Sequence, residues 1–225
     1  MDYAEVIKKF ESLKNPKNVE GMVKFGIKPK TKMYGIPIPE LRKIAKIVKK
    51  DHALALKLWD SKIHEAQILA GMIANSEELT VKQIKEWVGD FDSWDVCDQV
   101  CMNLFDKSIL AKKQIVKFSG DKSEFVKRTA FALMAVLASH DKIMTDKDFI
   151  RFFPLIKKAS TDERNFVRKA VNWALRGIGK RNKKLNVEAV KLAKEIQKME
   201  SKSAKWIAND AIRELTNSRT IKRIK

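Results

Sequence analysis

An all-α fold is what this 225-residue sequence predicts: a right-handed solenoid of stacked helical repeats with a concave basic face. Three observations predict it. Apolar residues recur at helical spacing along the chain, and no alternating strand pattern survives inspection. The segment Phe125-Val126-Lys127-Arg128-Thr129-Ala130-Phe131-Ala132-Leu133-Met134 returns 41 residues later as Phe166-Val167-Arg168-Lys169-Ala170-Val171-Asn172-Trp173-Ala174-Leu175. A fixed period near 40 residues with helical spacing is the mark of HEAT-like or armadillo-type repeats. Finally, with eight Gly, five Pro and no low-complexity tract, the helices follow one another without long linkers. One domain over 1–225 is expected, ending in a flexible basic tail at about 216–225.

Along the chain, Val6, Ile7, Phe10 and Leu13 mark a first helix over 3–14, stopped by Asn15-Pro16. A second, 17–25, runs into a loop from Gly26 to Pro39 whose glycines and prolines break any helix and whose four lysines could face phosphate. Pro39 suits the first turn of the next helix, and Glu40 follows near its positive end. Further helices are expected at 39–50, 52–59, 63–75, 80–89, 92–106, 108–117, 121–138, 145–158, 162–179, 186–198 and 202–214.

Composition narrows the function classes. At 44% apolar content the chain can bury a sizeable core, and no run of 18 apolar residues offers a membrane span. Met1-Asp2-Tyr3-Ala4-Glu5 starts acidic, without the features of a secretory leader. Cys97 and Cys101 lie four apart on one helix face, a poor geometry for a disulfide, so a reduced cytoplasmic chain is expected. Three scattered histidines and two cysteines make no zinc pattern. Forty-seven Lys and Arg against 28 Asp and Glu leave +19, spread along the whole chain. Such a field attracts a polyanion, DNA or RNA first; an acidic membrane surface or a lysine-rich proteome would also account for it.

Helical-wheel positions single out three helices. In the second copy, Val167, Ala170, Val171, Ala174, Leu175 and Ile178 form the core stripe, and Trp173 falls about 130° away, in the sector of Phe166, Lys169 and Arg176. Trp173 packs on a neighbouring repeat or presents an aromatic surface to nucleic acid. In the first copy Arg128 lies off the stripe, in the sector that Lys169 takes, as a solvated side chain or a phosphate contact. The third helix follows Phe91-Asp92-Ser93, with Ser93 or Asp92 as cap and Val96, Cys97, Val100, Cys101 and Leu104 buried. Trp94 and Asp98, four apart, can share one exposed pocket wall, while Asp95 points farther away and serves the helix N-terminus. A carboxylate facing phosphates weakens binding, so Asp98 makes local hydrogen bonds or stabilises a cation.

Together these segments resemble the AlkD-type DNA alkylation repair family of HEAT-like-repeat glycosylases, over nearly the whole chain. Gly35-Ile36-Pro37-Ile38-Pro39-Glu40-Leu41-Arg42 resembles the family's Gly-Ile-x-x-Pro-x-x-Arg segment, and Trp94-Asp95-Val96-Cys97-Asp98 its Trp-Asp-x-x-Asp segment. Arg128 and Trp173 fall where the family keeps an arginine and a tryptophan in successive repeats. Phe25 stands where members often carry a tyrosine near the DNA, which removes a hydroxyl contact and implies a different lesion preference.

The resemblance implies a monofunctional glycosylase that releases positively charged N3- or N7-alkylated purines from duplex DNA. Asp98, Trp94 and Trp173 would be its catalytic residues, and Arg128, Phe25, Lys169, Arg168 and Lys127 its DNA contacts. No metal or organic cofactor and no obligate protein partner are implied, and a monomer suffices. The alternative is a non-catalytic HEAT-repeat protein that binds damaged or branched DNA. A third class, a scaffold for protein partners, would need an apolar or mixed concave surface.

Overall fold

The computed structural model describes residues 1–28 and 30–224, and over these the chain is all-α. Pro29, within the predicted loop, and Lys225, at the end of the predicted tail, lie outside the described residues. Strand pairing among the described residues amounts to one isolated bridge, Lys32 with Ile63. The helices divide into two compact units, Met1–Leu110 and Ala111–Lys225.

The first unit begins with α1 (Tyr3–Leu13), opened by a reciprocal capping box between Asp2 and Glu5. Asn15 caps α2 (Pro16–Lys24), where Pro16 occupies the first turn, so the predicted helix stop is also the next helix start. The loop that follows is pinned from inside. Glu65, 1% exposed, accepts the backbone N–H groups of Tyr34 (3.0 Å), Gly35 (2.7 Å) and Ile36 (3.3 Å). Gly35 has φ +75°, and a Cβ there would lie 2.3 Å from the carbonyl oxygen of Asn15, so the turn requires glycine.

Next come α3 (Ile38–Val48), α4 (His52–Asp60) and α5 (His64–Ile73). Pro39 does sit in the first turn of α3. Buried on every side from His64 to Gly71, α5 packs against α3, α4 and the later helix α7 (Trp94–Asn103). Gly71 permits that last approach, since a Cβ would stand 3.0 Å from the Val100 methyl. Between them α6 (Val81–Asp90) stacks Trp87 on Trp59 of α4, rings 4.0 Å apart, and the Trp59 indole donates to Asp90 at 2.8 Å.

The second unit is built on the repeated segment. Its two copies are α10 (Glu124–His140) and α13 (Asn165–Gly179), which pack directly on each other. The echoed Phe125 and Phe166 rings stack at 5.6 Å. A stripe was predicted for α10, yet it is buried all round from Arg128 to Ala138, because α9 (Ile115–Ser119) and α13 cover it from different sides. On α13 a polar ladder faces α15 (Lys202–Leu215): Asn172 donates to Asp210 at 2.7 Å, Arg176 pairs with Asp210 and Glu214, and Lys180 meets Glu214 at 2.7 Å. Asn182 caps α14 (Lys183–Gln197), which packs on both α13 and α15.

Beyond shifts of up to about three residues at element ends, three segments differ from expectation. The segment 108–117 is two short helices, α8 (Ile109–Lys112) and α9. The segment 145–158 is likewise α11 (Asp146–Ile150) and α12 (Phe153–Ala159); Pro154, without an N–H, cannot continue the ladder from Ile150 and starts a new helix instead. The basic tail, for which no helix was expected, carries α16 (Ser218–Arg223), capped by Asn217, with Ile224 buried behind it. No described helix is long and apolar enough to cross a membrane.

Candidate functional site

In the first unit the site grows from the start of α7. Ser93 holds extended backbone, which places Trp94 and Asp95 in the first turn and Asp98 one turn later. Trp94 is half-buried and donates its indole N–H to the carbonyl of Phe25 at 3.2 Å, tying α7 to the end of α2. Asp98, expected on an exposed wall, is only 7% exposed. It lines a cavity of about 280 Å³ with Trp94, His64, Asp95, Ile36 and Ile68. A wider groove of about 670 Å³ shares the Trp94 and Ile36 walls and runs to Phe25, which is 75% exposed. Phe25, Trp94 and Asp98 therefore meet along one recess of the first unit.

Asp95 corrects the sequence reading. It turns inward: its Oδ2 lies 2.8 Å from Nε2 of His64, and the Ser93 hydroxyl donates to its Oδ1 at 2.8 Å. Burial works against the charged forms of both partners, but their hydrogen bond and mutual attraction prevail. The His64 pKa stands above the usual histidine value and the Asp95 pKa below the usual carboxylate value. Sequence reasoning passed over His64 and Glu65. The signal available was a charged pair set within the apolar run Ile63–Leu69, where a fully buried helix must give each polar group a partner.

The remaining predicted residues belong to the second unit. Arg128 was expected outside the core stripe, but it is 5% exposed and donates Nη1–H to the Phe166 carbonyl at 2.6 Å, joining α10 to α13. The solvated reading of Arg128 is thereby displaced. Lys127 pairs with Asp162 at 3.0 Å. Asp162 also takes a two-pronged contact from Arg164 (2.9 and 2.6 Å), which with Lys127 pulls its pKa down to about 2. Arg168 lies over the Trp206 ring, 5.1 Å from its centroid, while Lys169 is exposed and Trp173 half-buried on the same helix.

The chain matches the family model of DNA alkylation repair enzymes over residues 6–215. The chain belongs to that family. A solved structure described as a new family of proteins related to the HEAT-like repeat DNA glycosylases, with affinity for branched DNA structures, superimposes with TM-score 0.78. That likeness covers 95% of each chain at 18% identity and establishes a shared HEAT-like solenoid fold. A designed armadillo repeat protein aligns at TM-score 0.40 and 18% identity, over 79% of this chain and 87% of its own, too distantly to bear on the fold. No curated protein sequence matches the chain.

For this member of the DNA alkylation repair family, the recess in the first unit combines an indole, a carboxylate and a protonatable His–Asp pair among apolar walls. Such a place can hold a flat or cationic group against a carboxylate in low dielectric, where the carboxylate acts strongly.

Proposed function

We propose that the protein is a DNA glycosylase that hydrolyses the bond between deoxyribose and N3- or N7-alkylated purines in duplex DNA. The observation that carries this reading is Asp98 beside Trp94 in the recess of the first unit, in a chain of +19 that otherwise favours phosphate. Alkylation puts a positive charge on the purine, which then leaves with the bonding electron pair as a neutral base. Positive charge develops on the sugar, where the Asp98 carboxylate stabilises it and orients the water that adds to C1′. The water's second proton is released to solvent. Trp94 offers its π face to the cationic nucleotide. In the second unit Lys169 and Arg168 hold the backbone and Trp173 lies on the same helix, while Arg128 and Lys127, engaged with the Phe166 carbonyl and Asp162, brace that helix pair; Phe25 touches the duplex without the hydroxyl of a tyrosine. The low exposure of Asp98 means that the carboxylate acts from the recess wall.

Incubation with duplex DNA containing 7-methylguanine tests this directly, by detection of released base. Asp98→Asn should slow release by roughly 100-fold or more, on the scale of losing one preorganised electrostatic contact. Its affinity for undamaged duplex should be equal or higher, since a negative charge is removed. Full activity in that variant would remove Asp98 from the site.

A second reading, branched-DNA binding without chemistry, is favoured by the burial of Asp98 and by the neighbour described as having affinity for branched DNA. Tight retention of a four-way junction with no base release from alkylated duplex would decide for it.

A further inference from the structure

We propose that His64 is a positioning residue for the carboxylate recess, tying the start of α5 to the start of α7 and thereby setting Trp94 and Asp98 along the cavity wall. The proposal rests on the glycosylase reading for its catalytic consequence, but not for its geometry. His64 has no exposed surface, so it cannot touch DNA itself. Its ring nevertheless lines the same cavity as Trp94 and Asp98. Nε2 reaches Asp95 at 2.8 Å, and Asp95 also takes the hydroxyl of Ser93, the residue from which α7 starts. From the other side, the His64 backbone N–H donates to the Lys32 carbonyl at 3.0 Å, beside the Lys32–Ile63 bridge. Glu65, the next residue, gathers the N–H groups of Tyr34, Gly35 and Ile36. The first turn of α5 is thus the knot that joins the recess loop to α7.

The histidine is an expensive choice for packing alone. Its Nδ1 is buried with no hydrogen-bond partner, a cost that an apolar side chain of similar size would avoid. What an apolar residue cannot supply is a charged grip on Asp95. The charged groups acting on the ring are Asp95 from α7, Glu65 from α5 and Asp92 from the turn before α7, with Asp98 on the same cavity wall. Pro37 and Ile38, at the start of α3, complete the wall as apolar neighbours. The facing charges favour the imidazolium against the penalty of burial, and the pKa of His64 is accordingly raised. The grip is strongest below that pKa and relaxes as pH rises through it.

Two measurements test the proposal in the full-length protein. In the first, His64→Gln, His64→Phe and Asp95→Asn are assayed for release of 7-methylguanine and, separately, for affinity toward undamaged duplex. The expected result is a fall in kcat of about tenfold or more for His64→Phe and Asp95→Asn, with affinity within about twofold. His64→Gln, which can still donate to Asp95, should recover much of the rate at neutral pH and lack the alkaline decline that relaxation of the grip should give the wild type. In the second, the indole N–H resonance of Trp94, assigned by Trp94→Phe, is followed with pH in the DNA-free protein. It should titrate together with the His64 imidazole in the wild type and stop doing so in His64→Gln. A Trp94 resonance indifferent to His64 titration, or a His64→Gln pH–rate profile that superimposes on the wild type, would overturn the assignment. If the wild type releases no base, the glycosylase reading fails, and the Trp94 titration alone decides the positioning role.

Discussion

Gly35 shows how much a single residue can hold at this site. Its positive φ and the 2.3 Å approach to the Asn15 carbonyl leave no room for a side chain, and its N–H is one of the three that Glu65 collects. Gly35→Ala should therefore cost roughly 2–3 kcal/mol, a fall in Tm of about 5–10 °C measured by calorimetry. Gly21, in the middle of α2 with open space around it, is the control: Gly21→Ala should be neutral or stabilising by up to about 1 kcal/mol. Equal Tm losses for the two would mean that the turn does not need its left-handed residue. At this scale the sequence was partly legible. The spacing of Trp94 and Asp98 placed both on one wall, as observed, but the inward turn of Asp95 needed a partner 31 residues away that no local pattern announces.

Helices carry the next layer. The N-terminal ends of α10 and α13 are bound to each other by Arg128 to the Phe166 carbonyl, by stacked Phe125 and Phe166, and by the Asp162 cluster with Arg164 and Lys127. The sign of the acid response follows from Asp162. Its folded pKa of about 2 lies below the ordinary 3.8, so its stabilisation is present above pH 4 and is lost as pH falls toward 2. The group is largely buried, and the contribution is roughly 2 kcal/mol. Asp162→Asn should consequently lower stability at pH 7 while flattening the pH 4 to 2 limb of an acid denaturation curve. An unchanged limb would show that other carboxylates drive acid unfolding. Helix existence was readable from apolar spacing nearly everywhere, because most of the helices bury apolar residues that recur at helical spacing. The break within 145–158 was not, because Pro154 tolerates a first helical turn as well as it forbids a middle one, and the break within 108–117 has no proline or glycine to announce it. Helix α16 in the tail was not readable either: a short polar helix has a cap and one buried neighbour, Ile224, rather than a periodic face.

For the whole molecule, +19 over 225 residues makes binding to a polyanion a matter of counterion release. Duplex affinity should fall linearly on a log–log plot against salt, losing about 0.9 log units per phosphate neutralised for each tenfold rise in salt. A slope near zero in a filter-binding or fluorescence titration would rule out backbone recognition. Several of the cations counted in that charge are already matched inside the second unit: Lys127 and Arg164 by Asp162, Arg176 and Lys180 by Glu214. Lysines left exposed, such as Lys169, are the ones whose loss should reduce the salt slope. The sequence by itself determined the helical class, the repeat and its period, the family, and the candidate carboxylate on α7, because these are written in local spacing and in short motifs. Tertiary structure alone decided that Arg128 is buried, that Lys127 has an acidic partner, and that His64 grips Asp95 behind the recess. Those facts depend on which helices meet, and a buried polar group is defined by its neighbours in space.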